Sequence, residues 1–200
     1  MKSARYNLSV GVSELQVYRQ QFDQLRIEAE EMTAGLTEAQ FNHRPGPGQW
    51  SIEECLSHYT MLSQAQIRSI EKAIDDGKAR GLTGTGPFSY SALDRLFVQI
   101  TEPPVRFAVP SPRSFVPLHG QPLTAIMPTF YHVIRHFILQ TERAEGLDLA
   151  RIKVPTPLSG WIRMSLGMTF ALGAAHGRRH MAQAQRARRT LSVEAGVQTR

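Results

Sequence analysis

Apolar residues near the start of the chain recur at alternating spacings of three and four, the period of one helical face. Ser13 stands just before them and Gln16 follows three residues later, which matches the capping box of a helix start. The pattern predicts a long amphipathic helix over roughly residues 13–35. Its apolar positions are Leu15, Tyr18, Phe22, Leu25, Ala29, Met32 and Leu36.

The same reasoning predicts two further long helices. Ser51 and Glu54 form a capping box that opens a helix over about residues 52–76, with Gly77 as its stop. A third long helix is predicted over roughly residues 123–145. Its apolar face consists of Ile126, Phe130, Val133, Phe137 and Ile138.

A fourth long helix is predicted over about Gly160–Leu191, with Ser159 as its cap. We find no alternation that would indicate a strand. The residues expected to face the protein interior are Ile162, Leu166, Thr169, Gly173, His176, His180, Ala184 and Ala187.

An irregular connection is expected between the second and third long helices, at about residues 77–122. Seven of the chain's 12 prolines lie between Pro103 and Pro128, although Ser91–Thr101 can form a short helix. Because so long a connection lets its flanking helices run parallel, we predict an all-α, up-down-down-up four-helix bundle. The bundle is expected to be a single domain over residues 1–200, with a basic C-terminal tail at about 190–200.

Composition is that of a folded protein, with 42% hydrophobic and 20% charged residues. The single cysteine, Cys55, excludes an internal disulfide and suits a reducing compartment. The longest apolar run, about 168–175, is far shorter than the roughly 18 residues that span a bilayer. No apolar run follows Lys2 and Arg5 as a secretory signal requires. We therefore expect a cytoplasmic protein that does not bind membranes.

The net charge of +6 arises in the last quarter of the chain. Residues 1–148 carry 14 basic and 16 acidic side chains, whereas residues 149–200 carry 9 and 1. Such a basic segment is either a face for nucleic acid or an acidic ligand, or a solvated helix end whose cations complement the helix dipole. No aromatic residues alternate with the arginines, so nucleic acid is not an expected partner. The arginines are Arg178, Arg179, Arg186, Arg188 and Arg189.

His176 and His180 are four residues apart, so both imidazoles lie on one helical face within reach of one metal ion. Such a pair arises by chance about one time in four at this histidine content, so the spacing alone is weak. The two residues nevertheless lie on the face predicted to be buried. Core histidines bonded to backbone or carboxylate are the alternative, but two of them would need many polar partners in an apolar core.

His58, in the second turn of the second long helix, supplies a third candidate ligand. Antiparallel packing of the second and fourth long helices brings His58 to about the depth of the histidine pair, at about 1.5 Å per residue. Three neutral imidazoles without a fourth protein ligand are typical of catalytic metal sites. His132 and His136 share the spacing but point away from the apolar face of their helix, which indicates surface residues.

Two segments about 120 residues apart resemble the DinB-like superfamily, the damage-inducible DinB and mycothiol-dependent maleylpyruvate isomerase-like metalloproteins. Residues 44–58, RPGPGQWSIEECLSH, resemble the segment that opens the second helix of those proteins and carries their first metal histidine. Residues 176–183, HGRRHMAQ, resemble their closing motif. The resemblance covers about residues 13–189. It implies an up-down-down-up bundle with a divalent metal held by His58, His176 and His180.

The resemblance also implies kinship with thiol-dependent enzymes, the mycothiol-dependent maleylpyruvate isomerases and the bacillithiol S-transferases. The function expected is a metal-dependent S-transferase or hydrolase using Zn, Ni or Fe, together with a low-molecular-weight thiol. The alternatives are a non-catalytic metal-stabilised bundle or small-ligand-binding module and, less favoured, a nucleic-acid-associated stress protein. The partners expected are a small-molecule substrate or thiol, with a homodimer left open.

Catalytic residues are not identified by the sequence. Many relatives carry glutamate where this chain has Gly177, so no acid–base role is expected at that position. Cys55 is expected to be a small buried hydrophobe and Glu54 to serve its capping box. Arg178 and Arg179 either attract a carboxylated thiol or are simply solvated.

Overall fold

The computed structural model describes residues 13–104 and 111–197, with side chains as far as Leu191. This part of the chain is mostly helical and includes one small antiparallel sheet. A short 3-10 helix, Arg113–Phe115, lies in the connection between the second and third long helices. The other elements are α1 (Glu14–Thr33), α2 (Glu38–Phe41), α3 (Ile52–Ala79), α4 (Ala92–Thr101), α5 (Leu123–Arg143), β1 (Lys153–Thr156), β2 (Ser159–Ser165) and α6 (Leu166–Val197).

The predicted caps Ser13 and Ser51 begin their helices as expected. The Ser13 hydroxyl accepts a hydrogen bond from the Gln16 N–H at the start of α1. At the start of α3 the capping box is complete, because Ser51 accepts from the Glu54 N–H and the Glu54 carboxylate accepts from the Ser51 N–H. The Ser13 cap and the Ser51 box satisfy backbone donors that the first helical turn leaves without a partner.

The core lies between the four long helices, because α1 and α3 each pack against both α5 and α6. Phe22 of α1 stacks on Phe137 of α5 with ring centroids 4.4 Å apart. The ring of Tyr59 in α3 contacts that of Phe130 in α5. The predicted apolar faces are therefore the buried ones, and the long α3 and α6 are held side by side.

The prediction of an all-α chain without strands was wrong in one region. β1 and β2 form an antiparallel hairpin, so α6 begins at Leu166 rather than Gly160, and Ser159 is not its cap. Ile162, expected in the interior, lies on β2 with 42% of its surface exposed. Tertiary contacts stabilise the hairpin: β1 packs against α3, and Val154 and Met164 are both buried. The order of apolar and polar residues within the segment does not reveal such contacts between distant parts of the chain.

The connection between α3 and α5 is less regular, as predicted. Ser91 caps α4 by accepting from the Asp94 N–H. The Asp94 carboxylate in turn accepts from the Ser165 hydroxyl at 2.7 Å, which ties α4 to the end of β2. Gly77 is not the stop of α3, which continues to Ala79. Residues 105–110 of the connection and the last residues of the predicted basic tail lie outside the described residues.

Within residues 13–104 and 111–197, no helix combines the length and apolar character needed to cross a membrane.

Candidate metal centre

Three histidines from two helices meet at the interface of α3 and α6. His58 lies in the second turn of α3, and His176 and His180 lie one turn apart on α6. One nitrogen atom from each ring lies within 4.8 Å of one from each of the others. The ring centroids are 4.5–5.3 Å apart. The structure therefore brings together the three residues that the sequence selected as candidate ligands.

The orientation of the His58 ring is fixed by the connection between α3 and α5. Its Nδ1 atom lies 2.7 Å from the carbonyl oxygen of Phe115, at the end of the 3-10 helix. Because a carbonyl only accepts, Nδ1 carries the proton and donates it. Nε2 of His58 is therefore left with a free lone pair, the state of a ligating imidazole.

The three rings are uncharged near neutral pH. Burial lowers the pKa of His58, and a hydrogen bond from its ring to Phe115 opposes that shift. Burial also lowers the pKa of His176 to about 3, with the neighbouring His58 adding to the shift. Burial and the other two rings hold the pKa of His180 well below its usual value. Uncharged imidazoles offer lone pairs, so the donor set fits a divalent cation.

His180 provides a second test of that fit. The residue is 6% exposed, and its Nδ1 atom is buried without a hydrogen-bond partner in the described part of the chain. Leaving such a group unsatisfied costs about 1–3 kcal/mol. Apolar packing does not compensate for that loss. The arrangement is that of a polar site built for a further atom, and a cation shared with His58 and His176 supplies one.

Trp50, which directly precedes the Ser51 cap, covers one side of the cluster. Its ring centroid lies 4.9 Å from that of His58 and 5.9 Å from that of His180, with the latter pair inclined by 25°. The indole therefore restricts both rings and excludes water from that side. The sequence placed Trp50 in the motif but gave no sign that it contacts the histidines of two helices.

The two glutamates at the start of α3 do not join the cluster. Burial alone would raise the pKa of Glu54, but bonds from Arg44 and the Ser51 N–H outweigh it and hold that pKa below its usual value. Glu53 accepts from the Ser57 hydroxyl at 2.7 Å, and burial raises its pKa. Glu54 therefore serves its capping box, as the sequence indicated.

His132 and His136 lie on α5, away from the cluster. His132 is exposed, and Nδ1 of His136 is 3.9 Å from the Glu71 carboxylate. His119, in the connection between α3 and α5, has its Nδ1 3.5 Å from the Glu54 carboxylate.

Cys55, one turn before His58, is fully buried in the core, and burial raises the pKa of its thiol. The structure thus places it as a small hydrophobe.

Gly177 lies where α6 approaches α1. A Cβ atom at this position would be 2.2 Å from Cδ1 of the buried Leu25. Close helix packing thus accounts for glycine between His176 and Arg178, because a longer side chain would enter the core.

Comparisons with curated proteins and with solved structures returned no match. Residues 21–184 match the DinB superfamily, and this stretch includes His58, His176 and His180. The match covers well over half of the chain and agrees with the two motifs noted in the sequence. The chain therefore belongs to the DinB superfamily.

Proposed function

We propose that the protein is a metal-dependent enzyme of the DinB-like type, a thiol-dependent S-transferase or a hydrolase. His58, His176 and His180 would hold the cation, which is Zn, Ni or Fe by ligand preference. The observation that carries the proposal is the meeting of three uncharged imidazoles, with the proton of His58 held on the atom facing Phe115. A divalent cation bound there would lower the pKa of a coordinated water or thiol and so supply a nucleophile near neutral pH.

The protein's own residues would orient the ligands and shape the space beside them. The Phe115 carbonyl and the Trp50 ring restrict His58, and Trp50 also packs on His180. A cavity of about 260 Å³ is lined in part by Trp50, the residue that packs on His58 and His180, and by Gln183 and Arg186. Its size suits a small molecule, and its polar lining would orient one.

An up-down-down-up course of the four long helices forms part of the proposal. Three contacts between pairs of long helices support this course, because each shows which ends of the two helices lie together. Arg19 of α1 bonds Thr141 near the end of α5, as antiparallel helices would. Near their ends, Gln140 of α5 donates to Glu71 of α3, as parallel helices would. Late in both helices, Arg188 of α6 donates to the carbonyl of Glu31 in α1. The proposal takes the chain as one domain over residues 1–200, working in the cytoplasm.

Metal analysis of purified protein tests the three-ligand site. We expect near-stoichiometric divalent metal in the wild type and a large loss in His58→Gln and in His180→Gln. His132→Gln is the matched control, because it removes a histidine of the same spacing that lies outside the cluster. Full metal content in the His58 and His180 variants would refute the site.

A screen for activity then separates an enzyme from a metal-stabilised bundle. Metal-loaded protein is assayed for thiol transfer and for ester or amide hydrolysis, beside the His58→Gln variant. Turnover that depends on His58 supports the enzyme. Bound metal that raises the melting temperature without turnover supports the non-catalytic alternative, in which the cation joins α3 to α6.

A further inference from the structure

Arg178 and Arg179 are adjacent on α6 but have different surroundings. The Arg178 guanidinium donates to the Glu102 carboxylate and to the Gln21 side chain, so its charge is neutralised within the protein. Arg179 is partly buried and makes no hydrogen bond or ion pair with the residues that the structure describes. A partly exposed guanidinium without a carboxylate partner among the described residues can bond an anionic ligand.

Arg179 lies on the face of α6 that carries the site. Residues three and four apart share a helical face, so Arg179 stands with His176 on one side and Gln183 on the other. Arg179 also directly precedes His180, so its side chain leaves α6 beside two of the three rings. A ligand that reaches the cluster therefore comes within range of the guanidinium.

Two carboxylates, those of Glu102 and Glu54, are already engaged by other groups. Glu102 is bound by Arg178, and Glu54 is bound by Arg44 and the Ser51 N–H. With a divalent cation bound to the three uncharged imidazoles, the cation and the guanidinium would make a positive environment, which favours an anionic ligand. The planar guanidinium matches a carboxylate through two parallel hydrogen bonds.

We propose that Arg179 binds the carboxylate of a small ligand whose other end reaches the three-histidine cluster. The inference rests on the proposed function, because it takes the cluster to hold a cation. It assigns the recognition role to Arg179 alone, and Arg178 takes no part because Glu102 occupies it.

The test uses cobalt-loaded protein and a matched pair of thiols, followed by the visible absorption of the metal. Mercaptoacetate carries a carboxylate, whereas 2-mercaptoethanol has a similar length and no charge. We expect the wild type to bind mercaptoacetate about 10- to 100-fold more tightly than mercaptoethanol, the range for hydrogen bonds to a charged group. Arg179→Gln should abolish the preference, and Arg179→Lys should retain part of it. Arg178→Gln should leave it unchanged.

A third probe shows whether the carboxylate must be joined to a thiol. Acetate should compete with mercaptoacetate in the wild type and not in Arg179→Gln, if any small carboxylate is accepted. Absence of competition would restrict the ligand to molecules carrying both groups.

The results also separate this inference from the proposed function. If the wild type binds no cobalt, the metal site fails and the inference fails with it. If cobalt binds equally to wild type and Arg179→Gln but the preference is missing, or persists in that variant, the inference alone is wrong. An equal loss in Arg178→Gln would mean that general positive charge, and not Arg179, attracts the ligand.

Discussion

The indole of Trp50 lies over the ring of His180, with centroids 5.9 Å apart and planes inclined by 25°. It also contacts His58, so one side chain before α3 contacts histidines of both helices. Because indole emission responds to a nearby open-shell cation, Trp50 is a built-in reporter of metal binding.

The protein contains one other tryptophan, Trp161, which is 96% exposed on β2. In Trp161→Phe, we expect Cu²⁺ or Ni²⁺ to quench most of the fluorescence at about one equivalent. Fluorescence titration measures the effect, with Trp50→Phe as the control that retains only the distant indole. Equal quenching in both variants would mean that the cation binds elsewhere.

Removal of metal should lower the melting temperature. A ligand present at 100 times its Kd stabilises the folded state by about 2.7 kcal/mol, and for a chain of this length each kcal/mol shifts Tm by roughly 2–4 °C. We therefore expect chelation to lower Tm by roughly 5–10 °C, as measured by calorimetry. In His180→Gln, Tm should be the same with and without chelator. A wild-type Tm that ignores the chelator would contradict the prediction.

Glu53 predicts how stability depends on pH. Burial raises the pKa of Glu53 in the folded protein, so the folded state favours the protonated side chain. The stability of the folded state that depends on this protonation is fully present below the unfolded pKa of about 4.3. This part of the folding stability is lost as the pH rises through the pKa of Glu53 in the folded protein. The side chain in Glu53→Gln cannot ionise. The Tm of this variant should therefore rise relative to the Tm of the wild type as the pH increases from about 4.3. Glu142→Gln, at an exposed position, should show no such trend.

Cys55 should be unreactive in the folded protein. Its side chain is 0% exposed and burial raises the pKa of the thiol, so thiolate is scarce and inaccessible. A thiol-reactive dye should label less than about a tenth of the native protein in the time that fully labels unfolded protein, a difference set by burial. Rapid labelling of native protein would show that α3 opens near His58.

Gly177→Ala should destabilise the protein although alanine is the better helix former. The added methyl group would meet Leu25, and overpacking of a core costs about 1–3 kcal/mol against the roughly 1 kcal/mol that alanine gains in a helix. Chemical denaturation measures the difference. Gly160→Ala, which meets no atom within 4 Å, is the control. The double variant Gly177→Ala, Leu25→Ala should show coupling between the two positions.

Sequence reasoning succeeded where local pattern and helix geometry suffice. The cap at Ser13 and the box at Ser51 fix helix starts. Comparing depths along two helices selected His58 as the partner of His176 and His180. These inferences need no knowledge of distant contacts beyond the direction of the helices.

The features that were missed depend on contacts far apart in the chain. The β1–β2 hairpin is held by Val154, Met164 and the Asp94–Ser165 bond rather than by alternation of residue types. Phe115 acts through its main-chain carbonyl, which no residue type reveals. The difference between Arg178 and Arg179 arises because Glu102 lies beside only one of them.

The bond between the Phe115 carbonyl and His58 makes the long connection a structural component of the candidate site. Any redesign that shortens this loop to simplify the scaffold would free the imidazole to rotate and to exchange its tautomer. Transplanting the three histidines onto another helical framework would then reproduce the donor atoms without their alignment. An engineered copy would need the 3-10 segment as well.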